Sequence, residues 1–416
     1  MSQLNDSAVL SRGARVAVLA AAFLGLVFDG VELGLMPVAS LSVCKSLMGA
    51  DEAATEGGKW FAYFTAALML GAAFGGSLLG NLGDRIGRTR AMGVSILFYS
   101  LFAGVGAFVT SVEQMLLLRF AVGVGVGGVW PNGVALVAEC WPNASRPTVS
   151  GVMGAGINVG ILALSLLGSY KPITPDSWRW IFAMAAIPAI LGVVVLFALP
   201  ESPKWLASRG VAKTPPPPMS ALFRKHLLGR TLIGIMLASI PLVGAWAGSK
   251  WMIPWADQVA TSTPGYKSRV QFWWAIGATI GSFLGAPFAA IVGRRLSYFL
   301  ISLGATALTL AMFKLTAPLA PSFLGIVFAQ GLVATLFFGW LPLFLPELFP
   351  TYIRATGAGI AMNTGRFVTA GGVLAAGALF SWFDHDYSAI GAACAFIYAL
   401  GMILAFWTPR TGDEAL

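Results

Sequence analysis

The chain has 416 residues, of which 57% are hydrophobic and only 10% are charged, and its mean hydropathy is +0.80. Soluble domains carry about 25% charged residues, so this composition excludes a cytosolic enzyme, a nucleic-acid-binding protein and a secreted disulfide scaffold. The net charge of +9 is therefore assigned to Lys- and Arg-rich loops on one side of a membrane, and not to a nucleic-acid partner.

Apolar runs follow one another along the chain, and they are continuous, whereas the strands of a β-barrel would alternate. Because a membrane helix needs about 20 apolar residues, these runs predict an all-α polytopic membrane protein with twelve transmembrane helices. The predicted spans are roughly residues 14–38, 58–80, 91–110, 113–138, 148–169, 179–199, 230–256, 268–291, 297–316, 321–345, 355–380 and 388–408.

The longest loop separates the sixth span from the seventh. It contains a proline tract, 215–218, followed by the basic residues Arg224, Lys225 and Arg230, and we interpret it as a cytoplasmic linker. The predicted units are an N-terminal six-helix bundle (1–200), this linker (201–229) and a C-terminal six-helix bundle (230–416). The segments on the side of both termini contain sixteen Lys and Arg residues, and the segments on the other side contain seven. Because Lys and Arg are enriched in cytoplasmic loops, this predicts a cell-membrane protein with both termini in the cytoplasm.

The two halves of the sequence are similar to each other, as in transporters that are built from repeats. Glu139 and Arg146 match Glu347 and Arg354 at an offset of 208 residues. At an offset of 206, a second set of four positions matches in the same way: Gly71, Gly75, Gly87 and Arg88 correspond to Gly277, Gly281, Gly293 and Arg294. The two bundles are therefore expected to be pseudo-symmetric.

Five charged residues lie inside predicted spans and away from their ends: Asp29, Glu32, Arg119, Lys250 and Arg366. A charge in the hydrocarbon region costs several kcal/mol, so each is a candidate functional residue. Asp29 and Glu32 are three residues apart and share a helix face, and either could carry a proton. Counting residues from the predicted outer ends places Asp29 about 13 Å deep and Arg119 about 9 Å deep, within reach of each other.

Arg366 lies about 16 Å along the eleventh span, near the middle of the membrane, where transporters bind their substrates. Its repeat counterpart is Asn158. The three buried cations exceed the two acids, which favours an anionic substrate such as a carboxylate, although Lys250 could instead extend to the membrane interface. The other residues predicted to line the cavity are Asn132, Asn363, Trp251, Trp255 and Trp340, with Trp130 and Trp246 as further possibilities.

No catalytic or metal-binding pattern accompanies these residues. The two histidines, His226 and His385, lie in predicted loops, and no phosphate-binding loop of the Gly-Lys-Ser/Thr kind occurs. We therefore expect a protein that is not an enzyme, binds no metal or cofactor, and uses a proton gradient as its driving force.

The segment Gly80–Arg90, with the sequence GNLGDRIGRTR, resembles the loop between helices two and three of the major facilitator superfamily. Pro200–Leu206 (PESPKWL) resembles the end of helix six in the sugar, organic-ion and aromatic-acid branches. Arg119 followed by Gly123 and Gly127 resembles the helix-four motif of the same superfamily. The resemblance covers essentially the whole chain and implies two bundles that rock around a central cavity.

The resemblance also implies roles for particular residues. In proton-coupled sugar relatives an Asp on helix one pairs with an Arg on helix four, which implies that Asp29 is the protonation site and Arg119 its partner. The family's inner-face network, which controls gating, implies roles for Gly80, Gly83, Asp84, Arg85, Gly87, Arg88, Glu139, Arg146, Glu201, Glu347 and Arg354. The alternatives are a permanent Asp29–Arg119 ion pair and an inner-face network that only anchors the topology.

Helix seven departs from the pattern of the sugar transporters, because it lacks their glutamines and ends in a Trp- and Pro-rich segment, 241–255. That segment looks more like the organic-acid symporters. The sequence therefore predicts a monomeric symporter of a small organic anion and protons, working by alternating access. The alternative is a uniporter or exporter of a neutral or cationic solute, such as a sugar or drug.

Overall fold

The computed structural model describes residues 10–141, 146–208, 219–350 and 353–409. Across these residues it has no β-strand, and twelve helices are long and apolar enough to cross a membrane. In the first half they are α1 (Arg12–Met48), α2 (Ala50–Ile86), α3 (Arg88–Phe108), α4 (Val112–Cys140), α5 (Gly151–Tyr170) and α6 (Arg179–Ala198). In the second half they are α7 (Lys225–Val259), α8 (Tyr266–Val292), α9 (Arg294–Lys314), α10 (Phe323–Leu348), α11 (Thr356–Phe383) and α12 (Tyr387–Trp407). The prediction of twelve spans is confirmed.

Several helices are longer than their apolar segments. The helix α1 begins after Ser11, whose side chain accepts a hydrogen bond from the backbone of Ala14 at 3.2 Å, and it ends at Gly49. The predicted span ended at residue 38, ten residues earlier. Gly87 and Gly293 precede α3 and α9 with φ of +110° and +92°, a conformation that glycine adopts without strain. These two glycines occupy equivalent positions in the predicted repeat.

Close packing inside each half depends on glycine, as is common where membrane helices touch. A Cβ built on Gly71 of α2 would lie 2.1 Å from the carbonyl oxygen of Phe120 on α4. The equivalent Gly277 of α8 would place a Cβ 2.2 Å from the carbonyl oxygen of Phe328 on α10. Matching glycines therefore make matching helix contacts, as the predicted pseudo-symmetry requires.

The two halves meet through α2 against α11 and through α5 against α8. We call the end of the bundle where α1 begins the proximal face, and the end where α1 finishes the distal face. Towards the distal face, Lys267 on α8 donates to Ser42 on α1 at 2.8 Å. Gln271 on α8 donates to the carbonyl oxygen of Gly34 on α1 at 3.1 Å. These four residues form the distal latch, which holds the two halves together at that face.

The helix α7 is not regular. A π-helical turn, Gly244–Gly248, is followed by a 3₁₀ turn, Ser249–Trp251, before the α-helix resumes. Trp251 then packs between the two halves, 5.1 Å from the ring centroid of Phe61 on α2 and 5.7 Å from that of Phe380 on α11. Changes of this kind in helical geometry often occur at functional sites, and here they set the orientation of the residues that follow.

Candidate functional site

An ion pair joins α1 to α4 in the middle of the first half. Arg119 Nη1 donates to Glu32 Oε2 at 3.0 Å, and Nη2 donates to the backbone carbonyl of Glu32, also at 3.0 Å. Both side chains are 1% exposed. A planar guanidinium can make two such bonds to one residue, so Glu32 is fixed to Arg119 in this conformation.

The expected pairing of Asp29 with Arg119 is therefore wrong. Asp29 lies nearly one turn below Glu32 on α1, and the Arg119 guanidinium is occupied by the carboxylate and carbonyl of Glu32. Asp29 is 3% exposed, and its Oδ1 atom has no hydrogen-bond partner within residues 10–141, 146–208, 219–350 and 353–409. The cation that acts electrostatically on Asp29 is Arg366 of α11. The carboxylate thus lies on one half of the molecule and its cation on the other.

The side chain of Arg366, on α11 of the second half, contacts α2 of the first half in the middle of the bundle. Its Nη1 atom donates to the carbonyl oxygen of Ala72 on α2 at 3.2 Å, and its side chain is only partly buried. Asn363, one turn earlier on α11, lies against the same part of α2. A Cβ built on Gly76 would be 3.1 Å from Asn363 Oδ1 and 3.2 Å from Arg366 Nη1. Both residues are thus together at the interface of the halves.

Lys250 is buried on α7, with 1% of its side chain exposed. Its Nζ atom lies 3.2 Å from the ring centroid of Trp274 on α8 and has no hydrogen-bond partner among the residues that the structure describes. The side chain therefore does not extend to the membrane interface, which was the alternative left open by the sequence.

The predicted asparagines occupy different positions. Asn158 donates to Ser282 Oγ on α8 at 2.8 Å and so lies at the interface between the halves. Asn132 lies inside the first half, where its amide donates to the carbonyl oxygens of Leu79 and Gly128 at 2.9 and 2.8 Å. Only Asn158 of these two contacts the other half in this conformation.

The predicted tryptophans are all held by protein contacts. Trp251 packs between the halves as described above, and Trp255 packs on Phe313 and Phe323 inside the second half. Trp340 is fully buried, and its indole donates to the backbone carbonyl of Arg294 at 3.1 Å.

Neutral polar residues also form part of this region, and the search for charged residues missed them. Gln330 of α10 accepts a hydrogen bond from the Trp274 indole at 2.8 Å, and Ser249 lies 3.2 Å from the hydroxyl of Tyr398. Gln271 donates to Ser165 Oγ of α5 at 3.0 Å, across the interface. An amide inside an apolar span is a signal that sequence analysis could have used.

A network of charged and polar groups lies at the proximal face of the first half. Arg88 pairs with Asp84 at 2.6 Å and approaches Glu139 at 3.9 Å. Glu201 Oε1 accepts from the backbone of Thr89 at 3.1 Å, and so caps the start of α3. These contacts tie α2, α3, α4 and the end of α6 together within one half.

The remaining predicted gating residues divide between the halves. Arg294 pairs with Glu347 at 3.0 Å, and Arg354 Nε donates to the carbonyl oxygen of Phe349 at 3.2 Å. Arg85 is exposed, and the side chain of Arg146 lies outside the described residues. The predicted glycines lie between α2 and its neighbours: a Cβ on Gly80 would approach Pro131, one on Gly83 would meet Asn132, and one on Gly87 would meet Glu201.

A family model described as Major Facilitator Superfamily matches residues 18–270, more than half of the chain. One relative, a probable 4-methylmuconolactone transporter of Cupriavidus pinatubonensis, is 30% identical over 85% of this chain and 82% of its own length. A cis,cis-muconate transport protein of Acinetobacter baylyi is 28% identical over 83% of each chain. Both relatives are transporters and not enzymes.

Solved structures resemble the chain over nearly its whole length. A D-xylose-proton symporter gives a TM-score of 0.76 at 19% identity, and covers 96% of this chain and 99% of its own. The inward-open xylose transporter XylE of E. coli gives a TM-score of 0.75 at 18% identity. At these identities the likeness concerns the fold alone, which has two six-helix halves as the repeats predicted.

Proposed function

The chain belongs to the Major Facilitator Superfamily, and we propose that it is a secondary active transporter carrying a small organic anion together with a proton. The observation that carries this proposal is the arrangement of the five charged residues that lie deep within the spans. Glu32 and Arg119 form an ion pair. Among the described residues, Arg366 donates one hydrogen bond, to a backbone carbonyl, and interacts with the charge of Asp29, while Lys250 Nζ has no hydrogen-bond partner there. A carboxylate is the group that this excess of cations would attract.

Arg366 is the proposed binding residue for the anion. It lies at the interface of the halves, beside Asn363 and near the middle of α11, where an alternating-access transporter must hold its substrate. Muconate, which the Acinetobacter relative transports according to its name, is a carboxylate, and this supports the same substrate class. Asn158 is proposed to take part when its bond to Ser282 opens.

Asp29 is the proposed proton carrier. The Glu32 carboxylate is fixed in an ion pair, because its Oε2 atom accepts from Arg119, although Glu32 Oε1, like Asp29 Oδ1, has no hydrogen-bond partner among the described residues. Asp29 instead has Arg366, on the other half, for compensating charge. A substrate carboxylate that binds Arg366 would compete with Asp29 for this cation. Protonation of Asp29 removes that competition, so anion and proton favour each other's binding.

We further propose that the proximal face, where the predicted excess of Lys and Arg lies, is cytoplasmic. The contacts of the distal latch then make this conformation closed to the outside. The described ion pairs of the proximal networks, Arg88–Asp84 and Arg294–Glu347, each lie within one half, as expected if these networks lock the halves together only in the opposite conformation.

The test is uptake of (E,E)-hexa-2,4-dienoate into proteoliposomes, with protein-free liposomes at the same pH as a control for passive entry. One proton per anion and a gradient of one pH unit allow about tenfold accumulation, since tenfold corresponds to about 1.4 kcal/mol. Asp29→Asn should abolish the response to the gradient, while the exposed Asp51→Asn should retain it. Protein-dependent uptake that is the same with and without the proton gradient would contradict proton coupling.

The substrate class is tested separately. Arg366→Gln should abolish uptake of the anion and Arg366→Lys should retain part of it, with the exposed Arg269→Gln as the matched control. If neither substitution at Arg366 changed the rate of uptake, or if the protein transported neutral D-xylose in place of the acid, the alternative of a neutral-solute uniporter would be favoured.

A further inference from the structure

Lys250 differs from the other cations within the spans, because its amine faces an aromatic surface and pairs with no anion among the described residues. The Nζ atom lies 3.2 Å from the ring centroid of Trp274 and 5.9 Å from that of Trp246. In the part of the chain that the structure describes it has no hydrogen-bond partner, and the side chain is 1% exposed. An aromatic face attracts a cation but accepts none of its three N–H groups as a carboxylate does.

The surroundings of the amine are fixed by a separate set of hydrogen bonds. The Trp274 indole donates to Gln330 Oε1 at 2.8 Å, and Gln330 Nε2 donates to Thr309 Oγ1 at 3.2 Å. Ser249, the residue before Lys250, lies 3.2 Å from the hydroxyl of Tyr398. These groups satisfy one another, so the three donors of the ammonium group remain available for a ligand.

The register of the helices places the Lys250 amine at nearly the same depth in the bundle as the proposed anion site. Gln271 contacts Gly34, and Trp274 lies three residues further towards the proximal face, which is about 4.5 Å along α8. Asp29 lies five residues from Gly34 in the same direction, or about 7.5 Å along α1. The depth of the Lys250 amine, which lies over Trp274, therefore differs by about 3 Å from the depth of Asp29, the residue that interacts with Arg366.

We propose that Lys250, with Trp246 and Trp274, forms a second carboxylate subsite, and that the preferred substrate is a planar, conjugated dicarboxylate. This inference rests on the proposed function, in which Arg366 takes the first carboxylate. In the loaded state Arg119 pairs with Glu32, each substrate carboxylate pairs with one cation, and the proton neutralises Asp29. A monocarboxylate would leave Lys250 unpaired. The indole rings supply flat apolar surfaces for the conjugated body of the substrate.

Two acids with the same carbon skeleton test this directly, (E,E)-hexa-2,4-dienedioate and (E,E)-hexa-2,4-dienoate. In proteoliposomes with an inward proton gradient, we expect the KM of the diacid to be at least about tenfold lower, as for one added charged hydrogen-bonded contact. Lys250→Met, which keeps the length of the side chain and removes its charge, should abolish this preference and bring the KM of the diacid close to that of the monoacid.

A second variant covers the case in which Lys250→Met does not fold, which size-exclusion chromatography would reveal. Trp274→Phe retains the ammonium group and loses the bond to Gln330, and it should raise the KM of the diacid more than that of the monoacid. Gradient-driven uptake with no preference for the diacid, or with both acids affected equally by these variants, would overturn the second subsite alone. Absence of protein-dependent uptake of either acid would overturn the proposed function as well.

Discussion

The ion pair between Glu32 and Arg119 provides a direct test of which intramembrane acid has a structural role. Glu32→Gln preserves the shape of the side chain and removes its charge, so Arg119 keeps its bond to the backbone carbonyl and loses the carboxylate. Both side chains are 1% exposed, so water does not compensate the charge that is left. Breaking one partner of such a buried pair costs about 3–5 kcal/mol.

The expected change can be expressed as a melting temperature. For a unit the size of one half, each kcal/mol of stability corresponds to about 2–4 °C, so Glu32→Gln should lower the apparent Tm by at least about 6 °C. Asp29→Asn should have a smaller effect, within about 4 °C, because Asp29 Oδ1 makes no hydrogen bond that the substitution would break. The assay is thermal unfolding of the purified variants in one detergent.

The double variant Glu32→Gln/Arg119→Met serves as the control. Removing both charges of a buried pair is often neutral, so it should be more stable than Glu32→Gln alone. The reasoning would be refuted if Asp29→Asn lowered the Tm as much as Glu32→Gln, or if the effects of the two substitutions in the double variant were additive.

Two further predictions concern helix contact and conformation. Gly30→Ala should lower the yield of monodisperse protein, because its Cβ would lie 1.9 Å from a carbonyl oxygen of α5 and overpacking costs about 1–3 kcal/mol or more. Gly13→Ala should not lower the yield, because there is open space around a Cβ at that position. Equal yields of the Gly30→Ala and Gly13→Ala variants would contradict this account. Lys267→Met should open the distal latch and raise the labelling of the buried Cys44 by a maleimide about tenfold. Lys59→Met removes only a helix-surface ion pair, so labelling equal to that in Lys267→Met would count against the latch.

The number and order of the helices follow from the sequence because each apolar run is long enough to span a membrane. The ends of the helices do not follow from the sequence in the same way. The helix α1 continues past its predicted end at residue 38 as far as Met48, because a helix can extend through residues that need no contact with lipid. The wrong ion pair has a different cause. Depth counted from the predicted ends left Asp29 and Glu32 both within reach of Arg119, and the resemblance to proton-coupled sugar transporters selected Asp29, whereas the structure pairs Arg119 with Glu32.

The irregular path of α7 could not have been predicted either. Hydropathy averages over a window of residues and gives the same apolar span whether residues 244–251 form an α-helix or a π turn followed by a 3₁₀ turn. The orientation of Lys250 depends on that difference. Sequence identified the residue as a buried cation, while only the fold could place its amine over Trp274.

The positions of these charges suggest how binding would be coupled to movement in the proposed mechanism. Asp29 belongs to the first half and Arg366 to the second, so their interaction exists only when the halves meet in the middle of the membrane. With neither ligand bound, the two charges compensate each other. A proton alone would leave Arg366 uncompensated, and an anion alone would place two negative charges beside it. Closure is therefore favoured when both ligands are bound or both are absent, which is the condition that symport requires.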